Sequence, residues 1–121
     1  MTTFLKDVLL QTKVSVKSVK VFSSKEAANS ALPLNQPRKV IISGKSYCFV
    51  RTPSGIYAVD DACPHQKTSL SGGFVNAFDE IICPLHEYRF SLKDGSESSL
   101  RSHDVEILRV EIHDDGVFVN V

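Results

Sequence analysis

The sequence predicts an all-β protein, and three observations carry that prediction. Apolar residues fall in short runs separated by turn signals at Ser43-Gly44, Thr52-Pro53-Ser54-Gly55 and Asp115-Gly116. The run Tyr47-Cys48-Phe49-Val50 is aromatic and branched, as a buried strand requires. In the body of the chain, a helix start is offered only by the capping box Ser23-Ser24-Lys25-Glu26, and that helix must stop before Pro33.

Taken in order, Met1 to Leu10 carries Phe4, Leu5, Val8 and Leu9 at helix-like spacing, interrupted by Lys6 and Asp7. This predicts a short helix or a loose arm over an edge or part of the core. The stretch is too short and too charged for a signal peptide or a membrane span. Val19 to Phe22 is the first strand, and Pro37 marks the loop after the short helix. Lys39 to Ile42 and Lys45 to Arg51 flank Ser43-Gly44 as a hairpin, and Ile56 to Asp60 leads towards Cys63. Val110 to His113 and Val117 to Val121 flank Asp115-Gly116, the strongest hairpin signal in the chain. Just before it the alternation changes phase: Val105 and Ile107 are out of step with Leu108, Val110 and Ile112, which predicts a bulge near Ile107. Repeats, low-complexity tracts and linkers are absent, so residues 1–121 read as a single domain.

With 14 basic and 14 acidic side chains the formal charge is zero. Neither a nucleic acid nor an anionic membrane is an expected partner, and recognition must be local. Three cysteines give no disulfide framework, and free thiolates imply a reducing, cytoplasmic setting. Cys48 lies in the apolar run and reads as a small buried hydrophobe. His103 and His113 stand beside Asp104 and Asp114 and read as solvated surface residues.

The specific signal is Cys63-Pro64-His65 and Cys83-Pro84-Leu85-His86: C-x-H, 17 residues, then C-x-x-H. Two loops brought together would supply two thiolates and two imidazoles to one centre. Zinc takes such a set as a tetrahedral site, and a two-iron cluster takes both sulfurs on one iron and both nitrogens on the other. The one-residue gap between Cys63 and His65 is short for a zinc pair and favours the cluster. Pro64 and Pro84 fix a backbone angle beside each cysteine and stiffen the loops. No serine or cysteine is poised as a nucleophile; a two-iron cluster at these boxes would serve one-electron transfer, and a zinc ion would stabilise a binding module.

These boxes, with Asp60-Asp61 before the first, Ser69-Leu70-Ser71-Gly72-Gly73 after it and Tyr88-Arg89-Phe90 after the second, resemble the Rieske [2Fe-2S] proteins. Within that family they are similar to the soluble Rieske-type ferredoxins and to small Rieske-type subunits of nitrite reductases. The resemblance covers roughly residues 19 to 121. It implies an antiparallel β sandwich or barrel framework, with about 61–99 inserted as a cluster-binding subdomain. It implies one [2Fe-2S] cluster per chain, bound by Cys63, His65, Cys83 and His86, with both cysteines on the inner iron and both histidines facing out. It also implies a one-electron carrier, more an electron-transfer protein or subunit than an enzyme on its own. Its partners would be a flavin-dependent reductase and a redox enzyme such as a ring-hydroxylating oxygenase. The alternative is a small nitrite-reductase subunit with a structural or regulatory role. The carrier is expected as a monomer or weak oligomer.

A cluster with two neutral imidazoles carries less negative charge than one with four thiolates, so it is easier to reduce, and its potential should fall as pH rises through the imidazole titration. Respiratory members of the family have cysteines at the positions of Thr68 and Leu85, and hydroxyl donors at those of Tyr88 and Phe90. Their absence or change here implies a potential towards the negative end of the roughly −150 to +300 mV Rieske range. Many Rieske ferredoxins have glycine where this chain has Glu87. Gly72-Gly73 is expected to give backbone freedom and amide donors near the sulfides. Gln66, Lys67, Leu70, Leu85 and Glu87 are expected to rim the exposed histidine edge.

Overall fold

Two strands near the middle of the sequence each carry an unbroken run of four apolar residues, and the fold is built around them. In the computed structural model, which describes residues 17–121, these are β3 (Lys45–Thr52) and β4 (Gly55–Asp60). The helix or arm expected at Met1 to Leu10 lies outside the described residues. Tyr47, Phe49, Ile56 and Ala58 enter one core, while Cys48, Val50 and Val59 point the other way into a second. Burial on both faces is why these runs are continuously hydrophobic and do not alternate.

Around them lies a six-stranded antiparallel sheet in the order β1 (Ser18–Phe22), β9 (Gly116–Asn120), β8 (Ile107–His113), β4, β3 and β2 (Arg38–Ile42). Its first core also takes Ile42, Leu108, Val117, Val119 and, from the helix side, Ala28 and Leu32. Helix α1 (Lys25–Ala31) is capped by Ser24, whose hydroxyl accepts from the Ala27 amide at 3.0 Å, so the start falls one residue later than Ser23. Leu32 is fully buried and ends the helix just before Pro33.

The Ser43-Gly44 hairpin forms as expected, with both residues at positive φ (51° and 83°), the geometry of a type I′ turn. At the other hairpin His113 pairs with Gly116, so the turn residues are Asp114-Asp115, one position earlier than expected. Gly116 begins β9 at φ 153°, where a Cβ would stand 2.8 Å from the Phe22 carbonyl oxygen. No bulge interrupts β8, whose pairing with β4 and β9 is continuous. The phase change has another cause. Val105 and Ile107 pack into the second core, whereas Leu108 and Val110 pack into the first. The register shift lies instead in β1, between Lys20 and Phe22.

Between β4 and β8 the chain leaves the sheet and returns to the same place, where the Asp60 amide donates to the Glu106 carbonyl at 2.8 Å. This excursion builds a second, three-stranded antiparallel sheet: β5 (Phe74–Val75), β6 (Glu80–Ile82) and β7 (Arg89–Ser91). Leu70, Ile81, Phe90, Leu92 and Val105 join Cys48, Val50 and Val59 in the second core and fasten the excursion to the sheet. The framework resumes at β8, and residues 97–106 belong to a return loop. Among the described residues, no helix is long and apolar enough to cross a membrane.

Candidate metal centre

The two ligand boxes fold into loops of one design although their spacings differ. In the first, the Lys67 amide donates to the Cys63 carbonyl at 2.7 Å and the Cys63 amide to the Thr68 carbonyl at 2.9 Å. In the second, Glu87 donates to Cys83 and Cys83 to Tyr88, both at 2.9 Å. The fifth residue of each loop is left-handed: Lys67 at φ 62° and Glu87 at φ 59°. That conformation costs a residue with a side chain about 1 kcal/mol, and both loops adopt it to turn the chain within hydrogen-bonding reach. The loops have equal length, and their histidines differ only in position, third in one and fourth in the other.

This turn buries both cysteines (Cys63 0 % and Cys83 1 % exposed) and leaves His65 and His86 exposed. The imidazole centroids lie 5.2 Å apart with their planes at 60°. Burial pushes the Cys63 thiol up from its ordinary range, and the neighbouring Cys83 adds to the rise. The Gln66 and His65 amides aim at the Cys63 sulfur and pull the other way. Donors of that kind are what a buried thiolate ligand requires. Among the described residues no three Cys, His, Asp or Glu side chains converge on one point, as a single ion would need. Paired sulfurs inside and paired imidazoles outside fit a two-iron cluster, which spreads its donors over two centres.

Buried carboxylates hold the surroundings. Asp61, 4 % exposed, accepts from the Ser69 hydroxyl at 2.6 Å and the Ser71 amide at 2.8 Å, with the Lys39 ammonium 3.7 Å away. Burial, with the Asp61 charge, raises the Cys48 thiol to about 12, so this cysteine is the inert core residue the sequence predicts. The turn Leu70–Gly72 follows. The Gly72 and Gly73 amides donate to the Ser69 and Leu70 carbonyls, so they are spent within the turn and do not serve the sulfides as expected. Gly73 is required for a different reason: a Cβ there would meet the Ile82 carbonyl oxygen at 2.0 Å. Leu70 is fully buried and leaves the expected rim, while Gln66, Lys67, Leu85 and Glu87 are exposed as predicted.

A third loop, at residues 97–101, gave no signal in the sequence. Glu97 is 2 % exposed. Burial alone would raise its carboxyl, but the Ser99 hydroxyl and the Arg101, Ser99 and Arg89 amides donate to it and hold it down at about 2. The loop it anchors presents Leu100 at φ 63° and 85 % exposure, and Arg101, whose Nε donates to the Ser99 hydroxyl at 2.6 Å. The Arg101 guanidinium lies 4.1 Å from the centroid of the Tyr88 ring. That ring in turn stacks on His65, with centroids 4.2 Å apart and planes at 14°. Tyr88 is therefore a stacking partner of the histidine. A shallow groove beside it is lined by Pro64, His65, Leu100, Arg101, Ser102 and His103, so the exposed His103 lies next to the site. His113 instead faces Glu111 at 3.1 Å on β8.

Comparison with known proteins agrees with this geometry. A 56-residue stretch is 38% identical to the ferredoxin component of a naphthalene 1,2-dioxygenase system of Pseudomonas aeruginosa, covering 46% of this chain and 53% of that protein. The chain thus spans about half the length of this curated relative. Among solved structures, the ferredoxin of carbazole 1,9a-dioxygenase from Nocardioides aromaticivorans superposes with a TM-score of 0.72 at 25% identity, covering 84% of this chain and 96% of that one. The small subunit described as a putative NADPH nitrite reductase superposes at 0.71 and 28% identity, covering 85% and 97%. Residues 21–109 match the Rieske [2Fe-2S] domain. That match runs from β1 through both cysteine–histidine loops into β8, and on it the chain belongs to the Rieske [2Fe-2S] family.

Proposed function

We propose that the chain is a one-electron carrier of the dioxygenase-ferredoxin kind, passing electrons from a flavin-dependent reductase to an enzyme such as a ring-hydroxylating oxygenase. The observation that carries this reading is the polarity of the centre, with Cys63 and Cys83 buried and His65 and His86 exposed. When bound, the cluster takes up and gives back one electron with no bond made or broken in a substrate. Cys63 and Cys83 would hold the inner iron and exclude water from it, and His65 and His86 would hold the outer iron. Their rings form the shortest path to a docked protein. Gln66, Lys67, Leu85 and Glu87 surround that path with a small mixed patch, suited to brief contacts. The reading takes residues 1–121 as one domain and the carrier as a monomer or weak oligomer. It places the chain in the cytoplasm, whose reducing conditions keep Cys63 and Cys83 available to iron and Cys48 unpaired.

Iron and sulfide analysis of protein purified without air, with electron paramagnetic resonance of the reduced form, tests the ligand assignment. Two irons and two sulfides per chain are expected. His86→Cys should shift the spectrum towards a four-cysteine type or abolish it, and about one zinc with no iron would overturn the assignment.

A second reading has its own support, because the nitrite-reductase small subunit matches as well in fold and slightly better in identity. The two readings share the centre and differ in the partner. Single-turnover oxidation of the reduced protein by an oxygenase supports the carrier. Stable co-purification with a large reductase subunit, without electron transfer, supports the alternative.

A further inference from the structure

We infer that Arg101, which lies outside both ligand loops, is a positioning residue that presses Tyr88 onto His65 and makes the centre easier to reduce. The inference rests on the two-iron reading above. Five contacts link the buried Glu97 to the histidine edge. The buried Glu97 carboxylate accepts the Arg101 amide at 2.9 Å and the Ser99 hydroxyl at 2.6 Å, and that hydroxyl accepts from Arg101 Nε at 2.6 Å. The guanidinium so held covers one face of Tyr88, and the other face of Tyr88 covers His65.

Two physical consequences follow. A guanidinium stays charged at every accessible pH and binds well to an aromatic face, so Tyr88 is clamped between a cation and an imidazole. His65, exposed and at the rim, thereby gains a fixed orientation that its own short loop does not supply. Reduction also adds one negative charge to the centre, and a permanent positive charge one aromatic layer from the histidine edge stabilises that added charge. Among the described residues no carboxylate lies within ion-pair distance of the guanidinium, whereas Lys39 and Lys45 are paired with Asp61 and Asp60. Lys67, the positive charge within the first ligand loop, is exposed; Arg101 is exposed too, but Ser99 and Tyr88 hold its guanidinium at the ring. Arg101 thus supplements the hydroxyl donors of the respiratory members, of which this chain has none at Phe90 and an altered one at Tyr88.

The test is the midpoint potential of the reconstituted protein, measured by mediated titration with the paramagnetic signal as readout. Wild type is compared with Arg101→Gln, Arg101→Lys and Tyr88→Phe, each normalised to its iron content. Arg101→Gln should lower the ratio of reduced to oxidised centre at the wild-type midpoint by about fivefold, and 1 M salt should shrink that shift. Arg101→Lys should retain most of the wild-type value, and Tyr88→Phe, which keeps the ring, should stay close to it. Arg101→Met substitutes if Arg101→Gln loses iron. An unchanged midpoint in the uncharged variants, or equal shifts in the glutamine and lysine variants, overturns the proposal and leaves the two-iron reading standing. A wild-type protein without iron overturns both.

Discussion

Lys67 and Glu87 hold the same left-handed place in their loops, yet nothing in either side chain favours it, since Asn, Asp and glycine are the residues that visit this region easily. The loops accept the strain because each closes two backbone bonds through that residue. Replacing Glu87 with glycine should therefore relieve a cost, offset in part by the greater freedom of glycine in the unfolded chain. The expected net gain is about 0.5 kcal/mol in urea unfolding with no change in the cluster spectrum, and a loss of 1 kcal/mol or more would show that the Glu87 side chain stabilises the loop. Glu97 is a different kind of residue, buried and satisfied. Its carboxyl is held at about 2, below the ordinary value of 4.5, so its stabilisation is present above pH 4.5 and disappears as pH falls towards 2. Allowing for water around the exposed loop, this is worth on the order of 2 kcal/mol. Glu97→Gln should accordingly unfold at lower urea than wild type at pH 7, and the gap should narrow as pH falls below 4.5. A gap that stays constant down to pH 3 would contradict the role. The candidate ligand pairs stood out in the sequence because two Cys–His pairs at such spacings rarely arise except to hold a metal. Glu97 was not, because a glutamate among serines looks like a solvated loop until the fold closes over it.

At the scale of elements, turns and strand runs were readable wherever local chemistry decides the outcome. Ser43-Gly44 forms its hairpin, and Tyr47 to Val50 is a strand. Errors arose where a distant partner decides. The phase change before β8 looked like a bulge, but it records a strand passing from one core to another, and one-dimensional periodicity cannot distinguish the two. The glycine pair shows the same limit. Gly72 and Gly73 look alike in sequence, yet nothing lies within 4 Å of a Cβ at Gly72, whereas at Gly73 it would collide with the backbone of β6. Gly72→Ala should change stability by about 0.5 kcal/mol or less. Gly73→Ala must push β6 away from the turn beside Cys83, costing roughly 3 kcal/mol or more and reducing cluster retention. Iron content and urea unfolding of the pair check this, and equal behaviour of the two variants would refute it.

At the scale of the molecule, the sheet framework carries a small second sheet whose two Cys–His loops leave both imidazoles exposed, so the proposed carrier is expected to dock at that end. The sequence charge, zero overall, cannot steer a partner at long range, and the work falls to the few charges around the edge. Lys67 and Glu87 sit at equivalent loop positions, have opposite signs, and are both exposed. A partner with a fixed field over this face must attract one and repel the other. Lys67→Glu and Glu87→Lys should therefore change the second-order rate of electron transfer to an oxygenase in opposite directions, each by about two- to tenfold at low salt. Both effects should fade as ionic strength shortens the screening length towards a few ångströms. Neither substitution touches a ligand, so the absorption and paramagnetic spectra should be unchanged, which separates docking from damage to the centre. Stopped-flow oxidation of the reduced variants across a salt series measures all of this. Two unchanged rates at low salt would move the docking face away from the histidine edge, and two shifts in the same direction would mean that local packing, not charge, is being read.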